Sequence, residues 1–161
     1  MDDELYQLAE AVGRALQSKG WMIATAESCT GGWIGQAITM VPGSSQWFDR
    51  GFITYTNRAK MEMLGVSADT LKRHGAVSEQ TVEEMVSGAL QRSAAQIAVA
   101  VSGVAGPTGG TPEKPVGTVC LAWGTRDGPA RLRTLRLTGD RDAVRRQTVV
   151  IALRELFAQG R

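Results

Sequence analysis

The chain has 161 residues, 43% hydrophobic and 21% charged, which suits a single folded domain with a real core and excludes a disordered tail, a collagen or a coiled coil. Its net charge of +2 divides unevenly: residues 1–125 carry 9 Lys/Arg against 12 Asp/Glu, whereas residues 126–161 carry 9 against 4. That basic tail is open to several readings: attraction of a phosphate or nucleic acid, contact with a neighbouring subunit, or a solvated surface. No apolar run approaches the ~18 residues needed to cross a bilayer, and the acidic start Met1-Asp2-Asp3-Glu4 is unlike a secretory signal, so a cytoplasmic protein without membrane association is expected. Cys29 and Cys120 are too few for a disulfide framework, and with His74 as the lone histidine a zinc site or a Ser-His-Asp triad has little to work with. Neither a metal nor another cofactor is expected, and activity should not respond to chelators.

Leu5, Leu8, Val12, Ala15 and Leu16 recur at helical spacing behind an acidic first turn, and Lys19-Gly20 supplies a cation and a terminator, which predicts a helix over 3–19. Residues 21–25 read as a short buried strand that empties into Glu27-Ser28-Cys29-Thr30-Gly31-Gly32, with helical character from Trp33 to Met40. After the break at 41–45, residues 47–55 read as a strand with Gly51 as a possible bulge site. Short helices over 57–64 and 68–73 follow, then a longer one with Ser78 as N-cap and Val82, Met85, Val86, Ala89 and Leu90 on one face. Residues 97–101 predict a strand buried on both faces, 102–116 a long Gly/Pro/Thr loop, 117–124 and 131–137 a hairpin, and Asp140 the cap of a last helix to about 157. The resulting fold class is α/β, a three-layer α/β/α sandwich with a mixed, mostly parallel sheet of about five strands, in one domain over 1–161.

Three polar clusters stand where strands end, the place where open α/β sheets bind ligands: 25–32, 55–60 and 102–111. In the first, Ser28 lies in a glycine-closed turn before a helix N-terminus whose free N–H groups can hold an oxyanion, as a serine nucleophile requires. Ser28, Cys29 or Thr30 can equally be no more than the cap of that helix. Cys29 is a rival nucleophile, although nothing nearby is identified to deprotonate it. In the second cluster a desolvated Lys60 can activate a serine without histidine, and Tyr55 can relay the proton; the plain alternative is an exposed lysine, a strand-closing tyrosine and Asn57 as a cap. The third fits neither G-x-x-x-x-G-K-[ST] nor G-x-G-x-x-G, which disfavours a Walker-type or Rossmann nucleotide site and leaves an anion-binding nest or a structural Ω-loop. Arg141 can pair with a phosphate or simply face solvent. His74, at a helix end, is assigned no catalytic role.

Taken together, Thr-Ala-Glu-Ser-Cys-Thr-Gly-Gly at 25–32, G-F-I-T-Y-T-N-R-A-K at 51–60, G-A-V-S-E at 75–79 and S-G-V-A-G-P-T-G-G-T-P-E-K-P-V-G-T-V at 102–119 resemble the CinA C-terminal domain family, over about residues 5–157. Its characterised members are nicotinamide-nucleotide amidases. The resemblance implies hydrolysis of the carboxamide of nicotinamide mononucleotide to nicotinic acid mononucleotide and ammonia, a step in pyridine-nucleotide recycling. The chain is similar to stand-alone members, which implies no activity belonging to the N-terminal domain of longer relatives. Carried over by motif, Ser28 is the nucleophile, with Lys60 and Tyr55 as its catalytic partners. The remaining candidates for the oxyanion and for the ribose phosphate and ring are Thr30, Gly31, Gly32, Asn57, Ser102, Gly103, Ala105, Gly106, Thr108 and Arg141. The alternative is a non-catalytic module that senses a pyridine nucleotide or recruits a competence or DNA-damage partner. Nucleic-acid binding is disfavoured, because Val149, Val150, Leu153, Leu156 and Phe157 give the last helix an apolar face suited to the core or to a second copy, and a homo-oligomer is the expected assembly.

Overall fold

A computed structural model describes residues 1–161. Its elements are α1 (Asp3–Lys19), β1 (Ile23–Glu27), α2 (Trp33–Thr39), β2 (Phe48–Ile53), α3 (Asn57–Leu64), α4 (Ala68–His74), α5 (Glu79–Gln91), β3 (Ile97–Gly103), β4 (Thr118–Thr125), β5 (Arg131–Arg136) and α6 (Arg141–Gly160). One five-stranded sheet runs β2-β1-β3-β4-β5. The pairs β1–β2 and β1–β3 are parallel, and β3–β4 and β4–β5 are antiparallel, so four strands share one direction and β4 alone opposes it. No helix is long and apolar enough to cross a membrane.

The two faces of the sheet differ in side-chain size. Ile23, Ile97, Val99, Val101, Val119, Leu121 and Trp123 join the larger core with α1, α2 and α6. The residues between them, Ala24, Ala26, Ala98, Ala100, Cys120 and Ala122, form the other face under α3, α4 and α5. Small side chains let helices approach closely, and α3 and α5 meet at backbone distance. At Gly88 a Cβ would run into the carbonyl of Leu64. On the large-residue face, the buried Trp47 ring occupies the space that a side chain at position 13 would fill, and the Trp123 indole N–H donates to Ala152 O at 3.2 Å. Each such buried side chain contributes about 1.5–3 kcal/mol.

The predicted elements all form, with shifted ends. The first strand begins at Ile23 rather than 21, because Gly20 turns left-handed at φ 69° and Trp21 N–H still donates to Leu16 O, 2.9 Å away, holding the chain on α1. Strand β1 then runs on to Glu27, so three of the eight residues of the first polar cluster are fully buried strand. Likewise β3 continues through Ser102 and Gly103, paired with Cys120 and Val119. Gly51 is not a bulge. The register skips Asp49 instead, and Gly51 sits opposite Thr25, whose Oγ1 lies 2.6 Å from where its Cβ would be.

The basic tail is largely occupied within the chain. Arg146 pairs with Asp2 and Glu4, Arg154 with Glu4, and Arg131 and Arg133 with Glu155. Val149, Val150, Leu153 and Leu156 are buried in the chain's own core, where α6 packs on α1. Of the two readings of that apolar face, core or contact with a second copy, the core is where these four side chains lie.

Replacing Gly88 by alanine is expected to lower stability by about 1–3 kcal/mol, since backbone cannot yield as a side-chain tip can. A urea midpoint or Tm equal to that of the unsubstituted chain would contradict this account of the helix contact.

Candidate active site

Strand order places the site. Because β2, β1 and β3 are neighbours and parallel, their carboxyl ends deliver Thr54-Tyr55, Ser28 and the 104–117 loop to one edge. There they enclose a cavity of about 390 Å³ lined by Ser28, Cys29, Tyr55, Lys60, Ala76, Val77, residues 102–106, Thr108, Gly109 and Arg141.

At its floor, Lys60 Nζ donates to Ser28 Oγ at 2.9 Å, to Thr54 O at 3.0 Å and to Tyr55 O at 3.2 Å. The Lys60 side chain reaches inward because α3 starts immediately after the strand. Thr56 caps the helix by accepting from Ala59 N–H at 3.0 Å, and Lys60 falls one turn later on its sheet-facing side. Lys60 is 1% exposed and belongs to no ion pair. Burial without a counter-charge disfavours its ammonium form and brings its pKa down to about 8. Ser28 Oγ also contacts Tyr55 O, at 3.4 Å. The exposed-lysine reading is thereby overturned, since this lysine is among the largest fully buried side chains.

The turn carrying Ser28 is held by groups outside it. Gly31 and Gly32 take φ 61° and 103°, a left-handed pair that no side-chain-bearing residue in the chain adopts. Helix α2 lacks a side-chain cap at Gly32; instead the buried Glu27 carboxylate accepts from Ile34 N–H (2.9 Å), Gly35 N–H (3.0 Å) and Thr30 Oγ1 (2.6 Å). Ser28 is therefore not the helix cap, and its hydroxyl is left to Lys60. From α6, Arg145 donates to Cys29 O at 3.0 Å and Thr30 O at 3.1 Å. Cys29 is buried, and burial pushes its thiol up to about 12, far from the thiolate a nucleophile needs.

At the mouth, Arg141 donates to Gly106 O at 2.7 Å and to the Tyr55 hydroxyl at 2.9 Å. The Tyr55 phenol thus meets Arg141, while it is the Tyr55 carbonyl that meets Ser28 and Lys60. Ser102 is 1% exposed on the cavity wall.

Of the residues expected from sequence, Ser28, Lys60, Tyr55, Ser102, Gly103, Ala105, Gly106, Thr108 and Arg141 come together. Four do not line the cavity. Thr30 turns its hydroxyl to Glu27, Gly31 N–H is spent on Ser28 O, Gly32 is the N-cap residue of α2, and Asn57 is exposed at the start of α3. Asn57 is not the cap of α3 either, because Thr56 is. Sequence reasoning passed over Glu27 and Arg145. A carboxylate ahead of a helix that starts at glycine signals the first, and the four-residue spacing from Arg141 on one helical face signals the second. Ala76 and Val77 lay in a quoted motif without a role.

Comparison with known proteins gives the chain's relatives. Residues 5–159 match the CinA C-terminal domain. The chain is 54% identical over 158 residues to the nicotinamide-nucleotide amidohydrolase PncC of Escherichia coli (strain K12), covering 98% of this chain and 96% of that protein. It is 53% identical over 159 residues to PncC of Pseudomonas putida, covering 98% of each. The crystal structure of the competence/damage inducible protein CihA from Agrobacterium tumefaciens is similar at TM-score 0.97 and 47% identity, covering 100% of this chain and 98% of that one. The chain belongs to the CinA C-terminal domain family.

Proposed function

We propose that this chain is a nicotinamide-nucleotide amidase that hydrolyses the carboxamide of nicotinamide mononucleotide to nicotinic acid mononucleotide and ammonia, as a step in pyridine-nucleotide recycling. The observation that carries the reading is the 2.9 Å contact between the buried Lys60 amine and Ser28 Oγ, in a chain similar to PncC amidohydrolases over nearly its whole length.

When neutral, Lys60 has two N–H donors and one lone pair. The carbonyls of Thr54 and Tyr55 take the donors, which turns the lone pair to the Ser28 hydroxyl. Lys60 accepts the Ser28 proton as Oγ attacks the amide carbon. The tetrahedral oxygen is met by backbone N–H groups of the Ser28 turn: those of Cys29, on the cavity wall, and of Thr30, the residue after it, have no acceptor in the chain. Lys60 then returns that proton to the amide nitrogen, the C–N bond breaks and ammonia leaves. In the second half Lys60 takes a proton from water, the hydroxide attacks the Ser28 ester, and the proton passes back to Oγ as the product acid departs. No proton relay through the Tyr55 phenol is needed, because Lys60 touches Ser28 directly. Tyr55 instead holds Arg141 at the mouth, where that guanidinium and the unpaired N–H groups of Ala105, Gly106 and Thr108 suit the ribose phosphate. Ser102 on the wall, beside Gly103, is the polar group we assign to the carboxamide or ring.

Ammonia release from nicotinamide mononucleotide should fall at least about 10³-fold in Ser28→Ala and in Lys60→Met. Lys60→Met should keep or raise Tm, because an apolar chain of similar length replaces a buried amine without a counter-ion. Binding of the nucleotide without any turnover by the unsubstituted chain would contradict the amidase and favour a sensing module.

The pH dependence has a definite sign. Since the base is neutral Lys60, kcat/KM should rise with pH, about tenfold per unit below the lysine pKa of about 8, and level off above it. A profile flat from pH 6 to pH 9, or one falling with pH, would contradict Lys60 as the base.

A further inference from the structure

Resting on the amidase reading, we propose that Arg145 is a positioning residue that sets the direction of the backbone donors in the Ser28 turn. The other arginines of the tail that sit in ion pairs face carboxylates, as Arg146, Arg154, Arg131 and Arg133 do. Arg145 has no carboxylate partner. Its Nε and one terminal nitrogen grip two consecutive carbonyls, Cys29 O at 3.0 Å and Thr30 O at 3.1 Å, and its guanidinium lies 5.4 Å from the centre of the Trp33 ring.

Within a trans peptide the C=O and the following N–H point in opposite directions. Holding Cys29 O therefore aims Thr30 N–H away from α6, and this N–H has no acceptor within the chain. Holding Thr30 O aims Gly31 N–H the same way, and that group closes the turn on Ser28 O at 3.1 Å. One planar fork thus fixes both peptide planes that follow the nucleophile. Glu27 grips the Thr30 hydroxyl and the first N–H groups of α2, but it touches neither of those two carbonyls. The unneutralised charge of Arg145 also stays beside the turn in which negative charge develops. Arg141, four residues earlier on α6, serves the cavity mouth, so one helix face addresses both the substrate entrance and the nucleophile turn.

The test uses Arg145→Ala and Arg145→Lys in the full chain, with nicotinamide mononucleotide turnover and with the rate at which a fluorophosphonate labels Ser28, a reaction that uses the same nucleophile and oxyanion donors but needs no pyridine. For Arg145→Ala, kcat should fall about 10²-fold with KM within about twofold, and labelling should slow in parallel. Arg145→Lys, which can hold one carbonyl at a time, should recover about tenfold of that loss, and the pH midpoint of the rate should stay where Lys60 places it. Variants that keep the unsubstituted kcat and labelling rate, or that lose both only in proportion to an unfolded fraction seen by circular dichroism, overturn the proposal. If the unsubstituted chain labels at Ser28 without turning over the nucleotide, the amidase reading falls and the labelling rates alone decide on Arg145. A chain inert to both overturns both.

Discussion

A lysine amine buried against neutral oxygen atoms is the constraint on which this structure turns. Lys60 is 1% exposed, has no carboxylate partner and spends its three donors on Ser28 and on the carbonyls of Thr54 and Tyr55. A buried charge of that kind is costly, and the cost is reduced when the group sheds its proton. The same desolvation that works against the folded state thus makes the amine available for the role of base that we propose for it. The arrangement needs two carbonyls free at the end of β2, a helix that begins at once after them, and the Ser28 hydroxyl delivered from the adjacent strand β1, all of which the order β2-β1-β3 supplies.

The sheet's unequal faces make the arrangement possible. Alanines at 24, 26, 98, 100 and 122 keep the layer beneath α3 to α5 thin, and Gly88 lets α5 meet the end of α3 at backbone distance. Helix α3 is thereby drawn in with Lys60 on its inner side. On the opposite face, large residues build the deeper core that anchors α1 and α6. Helix α6 then brings Arg141 to the cavity mouth and Arg145 to the turn. The Ser28 turn is held between a carboxylate that takes its donors and a guanidinium that takes its acceptors, which leaves the Ser28 hydroxyl engaged with Lys60.

Much of this is legible in the sequence, for reasons that differ from residue to residue. Helical periodicity locates α1, α3 and α5 almost to the residue, and Ser78 accepts the N–H bond expected of it, whereas the cap of α3 is Thr56 rather than its neighbour Asn57. Strand ends are harder to read. Glu27 and Ser102 look like loop residues by polarity, yet the sheet buries them, since neighbouring strands satisfy the backbone whatever the side chain. Chemistry alone makes Ser28 and Lys60 a possible pair, since a desolvated lysine can activate a serine without histidine, but it leaves a helix cap and an exposed lysine equally open, and the family resemblance is what joins the two. The direction of the Tyr55 phenol, the detachment of Asn57 and the grip of Arg145 on main-chain carbonyls depend on tertiary geometry that no local pattern encodes.

The most direct test of the central claim is a titration of the Lys60 side chain itself, following its Cε and Hε chemical shifts in protein carrying 13C-labelled lysine, with Lys60→Met to assign the signal. The account predicts a midpoint near 8, set apart from the exposed lysines near 10.4. A Lys60 that titrates together with those exposed lysines would contradict it, because such an amine stays almost wholly protonated at pH 8, where a midpoint near 8 leaves about half of it with a lone pair to offer Ser28.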